Sequence, residues 1–140
     1  MSAPLSSLKI LDFSTLLPGP YASMMMADLG AEVLRLESPT RPDLVRMLPP
    51  RLKGGSATHA TLNRSKHSLA LNLKKPDAVK IVQQLVGKYD IVLEQFRPGV
   101  MKRLGLDYEE LRKYNPALIF CSLTGYGQTG PYRNRAGHDL

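Results

Sequence analysis

Short apolar runs alternate along the chain with longer segments of helical periodicity. Five runs have the length and side-chain alternation of strands, and they span residues 8–14, 32–38, 67–73, 91–96 and 118–126. Helical patterns cover residues 20–30, 76–89 and 107–115, with Pro76 near a first turn and Asp107 as an N-cap. Strands that alternate with helices pair in parallel. The pattern therefore predicts an α/β fold, a Rossmann-like open, mainly parallel sheet flanked by helices.

Three Gly- and Pro-rich loops follow predicted strands, at residues 16–21, 97–105 and 124–139. The carboxyl ends of parallel strands share one edge of a sheet, so we expect these loops to line one rim. Glycine lets the backbone approach a ligand, and the helix after each loop would offer free N–H groups to an anion. The chain has neither G-x-G-x-x-G after the first strand nor a P-loop motif, which excludes the ordinary dinucleotide and P-loop fingerprints.

The net charge of +7 is concentrated in the middle of the chain. Residues 41–103 hold thirteen Lys and Arg against four Asp and Glu, an excess of nine. Such a region is typical of a polyanion site, although a solubilising surface explains it as well. The basic stretch at 63–76 lacks interleaved aromatic residues, which disfavours nucleic acid. We therefore expect a phosphorylated small molecule, with neither nucleic acid nor a membrane as partner.

Cysteine and histidine usage narrows the chemistry. Cys121 is the only cysteine and sits in an apolar stretch, so we expect it to be buried and no internal disulfide to form. His59, His67 and His138 share no ligand spacing, which predicts no metal site. No apolar run approaches the roughly 20 residues of a membrane span, and no signal peptide is evident. A cytoplasmic protein is expected, with peroxisomal and mitochondrial addresses left open.

Four segments, in order, carry a family resemblance: residues 8–39, 63–76, 94–132 and the A-G-H-D motif at 136–139. Their most specific parts are D-F-S…P-G-P…A-D-L-G-A-E-V and F-R-P-G-V…L-G. From about Leu8 to Leu140 the chain resembles the amino-terminal part of the family III CoA-transferases (CaiB/BaiF superfamily). The A-G-H-D motif places it nearest to the α-methylacyl-CoA racemase branch.

The resemblance implies that residues 1–140 are a Rossmann-like CoA-binding portion whose second domain is absent, so we expect a truncated sequence. It implies an acyl-CoA thioester as ligand, coenzyme A as part of the substrate, no covalently bound cofactor, and an interlaced homodimer at full length. Matching positions that contact CoA in the family are Leu17, Pro18, Leu71, Asn72, Leu73, Lys74, Gln95, Phe96, Arg97 and Arg103.

The A-G-H-D motif at residues 136–139 bears on which of two reactions the protein catalyses. In the racemase interpretation, which the motif favours, His138 removes the α-proton of a 2-methylacyl-CoA to give an enolate, and a later aspartate returns a proton from the opposite face. Asp139 would only cap the following helix. From the residues alone, a loop histidine such as His138 is more often a surface or hydrogen-bonding residue than a catalyst.

Two alternatives stay open. Transferases of the family usually carry Tyr or Phe at the histidine position, and they use an aspartate further along as nucleophile to form an acyl-enzyme anhydride. The other alternative is a catalytically silent CoA-binding or dimerisation fragment. In each case we expect the 140-residue chain alone to be inactive.

Overall fold

The structure, a computed structural model, describes residues 3–137. Along the chain the elements are β1 (Lys9–Asp12), α1 (Pro18–Asp28), β2 (Glu32–Glu37), a 3₁₀ helix (Leu44–Met47), β3 (Arg51–Leu52), β4 (Gly55–Ser56), α2 (Ala57–Leu62), β5 (His67–Ala70), α3 (Pro76–Val86), β6 (Ile91–Glu94), α4 (Val100–Arg103), α5 (Tyr108–Leu111) and β7 (Ile119–Ser122).

Five strands form one sheet in the order β5-β2-β1-β6-β7, and all four pairings are parallel. The predicted α/β architecture is confirmed, because each of the five predicted strands contains one strand of this sheet. Asp107 is the N-cap of α5, where its carboxylate accepts the backbone N–H of Glu110 at 3.3 Å. The short β3–β4 hairpin and its neighbours at residues 44–62 were not predicted, since segments of two to six residues carry too little periodicity.

Both faces of the sheet are covered by apolar side chains. Leu11 packs with Val82 of α3 in one buried cluster, while its neighbour Ile10 packs with Ala27 of α1 in the other. Successive residues of a strand point to opposite faces, so β1 lies between two layers and is buried at three of its four positions. The central strands are thereby fixed, and the loops at their carboxyl ends start from rigid positions.

The expectation that Cys121 is buried is wrong. Cys121 is exposed on β7, which is an edge strand of the sheet. Within β7, Phe120 packs on the core cluster, and the alternation of the strand turns Ile119 and Cys121 to the other face. No described element covers that face at this edge.

In the described part of the chain, no helix combines the length and the apolar character that crossing a membrane requires.

Candidate functional site

The order of strands reverses between β1 and β6. On one side of β1 the sheet continues through β2 to β5, and on the other through β6 to β7. In open parallel sheets, ligands bind beyond the carboxyl ends of the strands at such a switch point. The loops after β1 and β6 border this crevice, and they carry the predicted contacts Leu17, Pro18 and the segment 95–97. Two of the predicted groups therefore lie side by side.

The loop after β1 is held by a buried carboxylate. Leu16 has a φ of 62°, a left-handed conformation that is uncommon for a residue other than glycine. Its N–H donates to both oxygens of Asp43, at 3.3 and 3.2 Å. Asp43 also accepts the N–H of Val45 at 3.0 Å and caps the 3₁₀ helix. The loop is thus fixed by tertiary contacts, and the next residue, Leu17, is presented to solvent.

The amino terminus of α1 is not an open anion site. The helix begins Pro18-Gly19-Pro20, and neither proline has an N–H group. The N–H of Gly19 donates to Oε1 of Gln95 at 3.3 Å. The expectation that this helix offers free N–H groups to an anion is therefore wrong, because its first three residues hold one N–H and that one is occupied.

The segment after β6 turns around Glu94, the last residue of that strand. Glu94 is 3% exposed, and its carboxylate accepts the N–H of Phe96 at 2.7 Å. Gln95 lies between them and reaches across the crevice, where Nε2 donates to the carbonyl oxygen of Thr15 at 2.5 Å. These contacts fix the start of the loop that carries Phe96 and Arg97.

A cavity of about 220 Å³ lies beside this loop. Its lining includes the buried Glu94, the cations Arg97 and Lys102, and the ring of Phe120. Arg97 and Arg103 are exposed, and within residues 3–137 neither guanidinium has a carboxylate within 4.0 Å. Guanidinium groups without such a partner are suited to phosphate oxygens.

The predicted contacts at 71–74 lie elsewhere along the same edge. They follow β5, which β2 separates from β1. Leu71 and Leu73 pack against the core cluster, while the Asn72 side chain accepts the N–H of Lys74 at 3.1 Å in a turn. Lys74 is exposed. This segment therefore forms the far end of the rim rather than part of the switch-point crevice.

Two buried ionic clusters beneath the rim escaped the sequence analysis. In the first, the ammonium group of Lys66 lies 3.5 Å from Oδ2 of Asp12, and both side chains are at most 1% exposed. Lys66 also donates to Ser23 Oγ at 2.8 Å and to the carbonyl oxygen of Pro20 at 2.9 Å. Burial lowers the pKa of Lys66 below its ordinary value, and Asp12 offsets part of that shift. This cluster ties the start of α1 to the residues before β5.

The second cluster centres on Arg35 of β2, whose side chain is 1% exposed. Its guanidinium donates to Glu37 and, at 2.6 Å, to Oδ2 of Asp43. Burial raises the pKa of Glu37, but the hydrogen bond from Arg46 and the charges of Arg35 and Arg46 outweigh it, so the net pKa lies below the ordinary value. Arg35 therefore holds Asp43, which in turn holds the Leu16 loop.

His59, to which the sequence analysis assigned no chemistry, borders this second cluster. Nη1 of Arg35 lies 3.2 Å from Nε2 of His59. A guanidinium can only donate, so Nε2 accepts and Nδ1 carries the proton. Burial, followed by the charges of Arg46 and Arg35, lowers the pKa of His59 and favours this neutral form.

Replacing Glu94 by glutamine should stabilise the protein increasingly as the pH rises. Burial raises the pKa of Glu94 above its ordinary 4.5, and hydrogen bonds from Ser122 and Phe96 offset only part of that shift. Below pH 4.5 the folded and unfolded states both hold the proton. Above it the folded state binds more protons than the unfolded state, so this group lowers stability as the pH rises. Glutamine keeps an acceptor for Phe96 and does not titrate.

The measurement is the melting temperature of Glu94→Gln and of the wild type between pH 4 and pH 8. We expect the difference, variant minus wild type, to grow with pH. A difference that shrinks or stays constant would show that the carboxylate is not destabilised by its surroundings. Glu109→Gln is the matched control, since Glu109 is exposed and its only ion pair in the described part of the chain, with Arg112, lies at the surface, where such a pair contributes about 0–1 kcal/mol.

The loop after β7 closes on itself. A Cβ on Gly125 would lie 2.6 Å from Cα of Gly137, so the two backbones are in contact at these positions. Between them, Tyr126 and Tyr132 pack edge to face with ring centroids 6.0 Å apart. The predicted base His138, and Asp139, lie outside the described residues. Within residues 3–137, no group of three or more His, Cys, Asp or Glu side chains is placed to hold a metal.

The profile of CoA-transferase family III matches residues 5–140. The human succinyl-CoA:glutarate CoA-transferase is 44% identical over 137 residues, which cover 97% of this chain and 31% of that protein. The acetyl-CoA:oxalate CoA-transferase of Acetobacter aceti is 40% identical over 136 residues, covering 97% and 35%. This chain belongs to CoA-transferase family III, as its motifs predicted.

Solved structures agree with this assignment. A CaiB/BaiF family protein from Brucella suis superimposes with a TM-score of 0.92 at 38% identity, over 99% of this chain and 38% of that one. A hypothetical protein from Mycobacterium tuberculosis gives a TM-score of 0.88 at 39% identity, over 98% and 38%. The chain spans about a third of the length of the relatives it matches.

Proposed function

We propose that the protein is a CoA-transferase that moves CoA between two carboxylic acids, at least one of them a dicarboxylic acid. The observation that carries the proposal is the match of nearly the whole chain, at 40–44% identity, to proteins named as CoA-transferases. It favours the transferase alternative over the racemase interpretation. The names of these relatives specify succinyl, glutarate and oxalate groups, which supports dicarboxylic acids as the substrate class.

The residues described above supply the CoA-binding part of this reaction. We propose that Arg97 and Arg103 bind phosphate groups of CoA, since both are exposed cations, Arg97 in the loop after β6 and Arg103 at the end of α4. Leu17, Pro18 and Phe96 would form the apolar walls between them. The segment 71–74, with Lys74, would extend the site along the rim.

The chemical step then follows the anhydride route. A carboxylate of the protein attacks the thioester carbon, the acyl–sulfur bond breaks, and CoA leaves as thiolate. The thiolate attacks the protein acyl carbon of the anhydride, which releases the first acid and leaves CoA on the protein carboxylate. The second acid repeats the sequence in reverse and leaves as its CoA thioester.

The racemase interpretation keeps one specific argument, the A-G-H-D motif with His138. It requires the α-proton of the acyl group to exchange with solvent, whereas acyl transfer leaves that C–H bond intact. The two reactions can therefore be distinguished by whether the α-hydrogen of the acyl group exchanges with solvent.

The test incubates the complete protein with succinyl-CoA and glutarate, and in parallel with a 2-methylacyl-CoA in deuterated water. We expect glutaryl-CoA to form, detected by mass spectrometry, with no deuterium entering the 2-methylacyl group. Hydroxylamine should inactivate the protein only when an acyl-CoA is present, because it traps the anhydride. Deuterium incorporation without transfer would support the racemase, and CoA binding with neither activity would support the silent fragment.

We also propose that the complete protein forms a homodimer and is located in the cytoplasm. Leu44, Met47 and Leu52 are 66%, 65% and 57% exposed in this chain. Apolar surface of this kind, close to the rim, supports coverage by further parts of an interlaced dimer.

A further inference from the structure

The side-chain amide of Gln95 joins the two loops that border the switch-point crevice. Its Nε2 donates to the carbonyl oxygen of Thr15 at 2.5 Å, and its Oε1 accepts the N–H of Gly19 at 3.3 Å. Gln95 directly follows β6, whereas Thr15 and Gly19 belong to the loop after β1 and the first turn of α1. The half-buried amide of Gln95 thus uses one of its N–H donors and its carbonyl acceptor in hydrogen bonds within the protein.

The absence of a side chain at Gly19 leaves room for this amide. A Cβ on Gly19 would overlap the side chain of Ser14 and would lie 2.7 Å from Oε1 of Gln95. Gly19 is itself buried between Pro18 and Pro20, so the backbone has little room to move away. The contact therefore depends on glycine at one end and on the length of the glutamine side chain at the other.

We propose that Gln95 is a positioning residue for CoA binding. It fixes the distance between Leu17 and Pro18 on one loop and Phe96 and Arg97 on the other, so that CoA meets a preformed surface. A surface ordered before binding loses less conformational entropy when the ligand arrives, which raises affinity without a new contact. This inference rests on the CoA-binding part of the proposed function and not on the chemistry of transfer.

The first experiment measures the CoA dissociation constant of the complete Gln95→Glu protein at pH 8 and pH 5 by calorimetry. At pH 8 the introduced carboxylate cannot donate to Thr15 and repels its carbonyl oxygen, so we expect CoA to bind about tenfold more weakly than to the wild type. At pH 5 the protonated fraction of the carboxyl restores both a donor and an acceptor, so the deficit should shrink. Gln84→Glu, the same change at an exposed position of α3, should match the wild type at both pH values.

The second experiment separates positioning from direct contact with CoA. Hydrogen exchange is followed in the ligand-free protein, in the segment from Leu17 to Tyr21. Because Pro18 and Pro20 have no N–H, Gly19 supplies the only amide between those two residues. We expect Gln95→Glu to accelerate exchange of the Gly19 amide at pH 8, with no acceleration in Gln84→Glu. A glutamine that only touched CoA would leave this exchange unchanged.

Gly19→Ala tests the contact from its other end. Its Cβ would displace both the Gln95 amide and the side chain of Ser14, so it should weaken CoA binding at least as much as Gln95→Glu does. The double variant should bind CoA no more weakly than Gly19→Ala alone, since that change has already removed the contact with Gln95. Additive losses would overturn the proposal, as would wild-type CoA affinity in Gln95→Glu at pH 8 or unaltered Gly19 exchange. If the wild type binds CoA but transfers none, the proposed reaction fails while the positioning role stands; if it binds no CoA, both fail.

Discussion

Arg35→Met is expected to lower the free energy of unfolding by about 3–5 kcal/mol, the range for removing one partner of a buried ion pair. The guanidinium of Arg35 is 1% exposed and serves both Glu37 and Asp43. Methionine fills a similar volume but leaves two carboxylates without their buried cation. The loss of the cation affects Asp43 more seriously than Glu37, because the Asp43 side chain is itself 1% exposed and accepts the N–H of Leu16.

Urea denaturation of the purified variant measures this loss. Arg64→Met is the control, since Arg64 pairs with Asp28 at the surface, where the two side chains are 45% and 38% exposed. A surface pair of that kind contributes about 0–1 kcal/mol. If Arg35→Met does not fold, Arg35→Lys keeps the charge without the planar fork and should give a smaller, measurable loss. Equal effects at Arg35 and Arg64 would contradict the role assigned to the buried cluster.

Lys66→Met is expected to have the second largest effect. It should lower the free energy of unfolding by about 3 kcal/mol, the lower end of the range for a broken buried ion pair. The loss should be at the lower end because Asp12 keeps hydrogen bonds from the N–H of Ser14, at 2.8 Å, and from Ser23 Oγ, at 2.5 Å. Burial has already lowered the pKa of Lys66, so the ammonium group is itself partly destabilised by its surroundings.

A double-mutant cycle tests the origin of that loss. Asp12→Asn combined with Lys66→Met removes both charges, and we expect this protein to be more stable than the sum of the two single effects predicts. The free energies come from denaturation of the four proteins at one pH. Strict additivity would show that Lys66 acts through packing and not through the charge of Asp12.

The sheet could be predicted because each of its strands is recognisable from a short stretch of the sequence. The runs at β1 and β6 are mostly apolar and the run at β2 alternates between apolar and charged residues, and parallel pairing follows from the helices between the strands. Asp107 is readable as a cap because its partner, the N–H of Glu110, is three residues away. Cys121 was misjudged because an apolar run does not reveal which strand forms the edge of a sheet.

The candidate site was only partly readable for the same reason. Its loops and exposed cations stand out in the sequence, and the family motifs single out Gln95 and Arg97. The partners of these groups are far away in the chain: Gln95 bonds residues 76 and 80 positions earlier, and Lys66 lies 54 positions after Asp12. Separations of this size have no signature in periodicity or motif spacing, so the two buried clusters emerge only from the fold.

The contact between Gly125 and Gly137 has a consequence for how this chain would tolerate an insertion. Residues 126–136 leave the sheet and return to the place where they left it, and they are exposed throughout. Such a closed excursion can lengthen cheaply, since doubling a loop costs only about 0.6 kcal/mol in closure entropy. An insertion between the two glycines of this chain should therefore leave their backbone contact in place, because the added residues would extend only the exposed part of the loop.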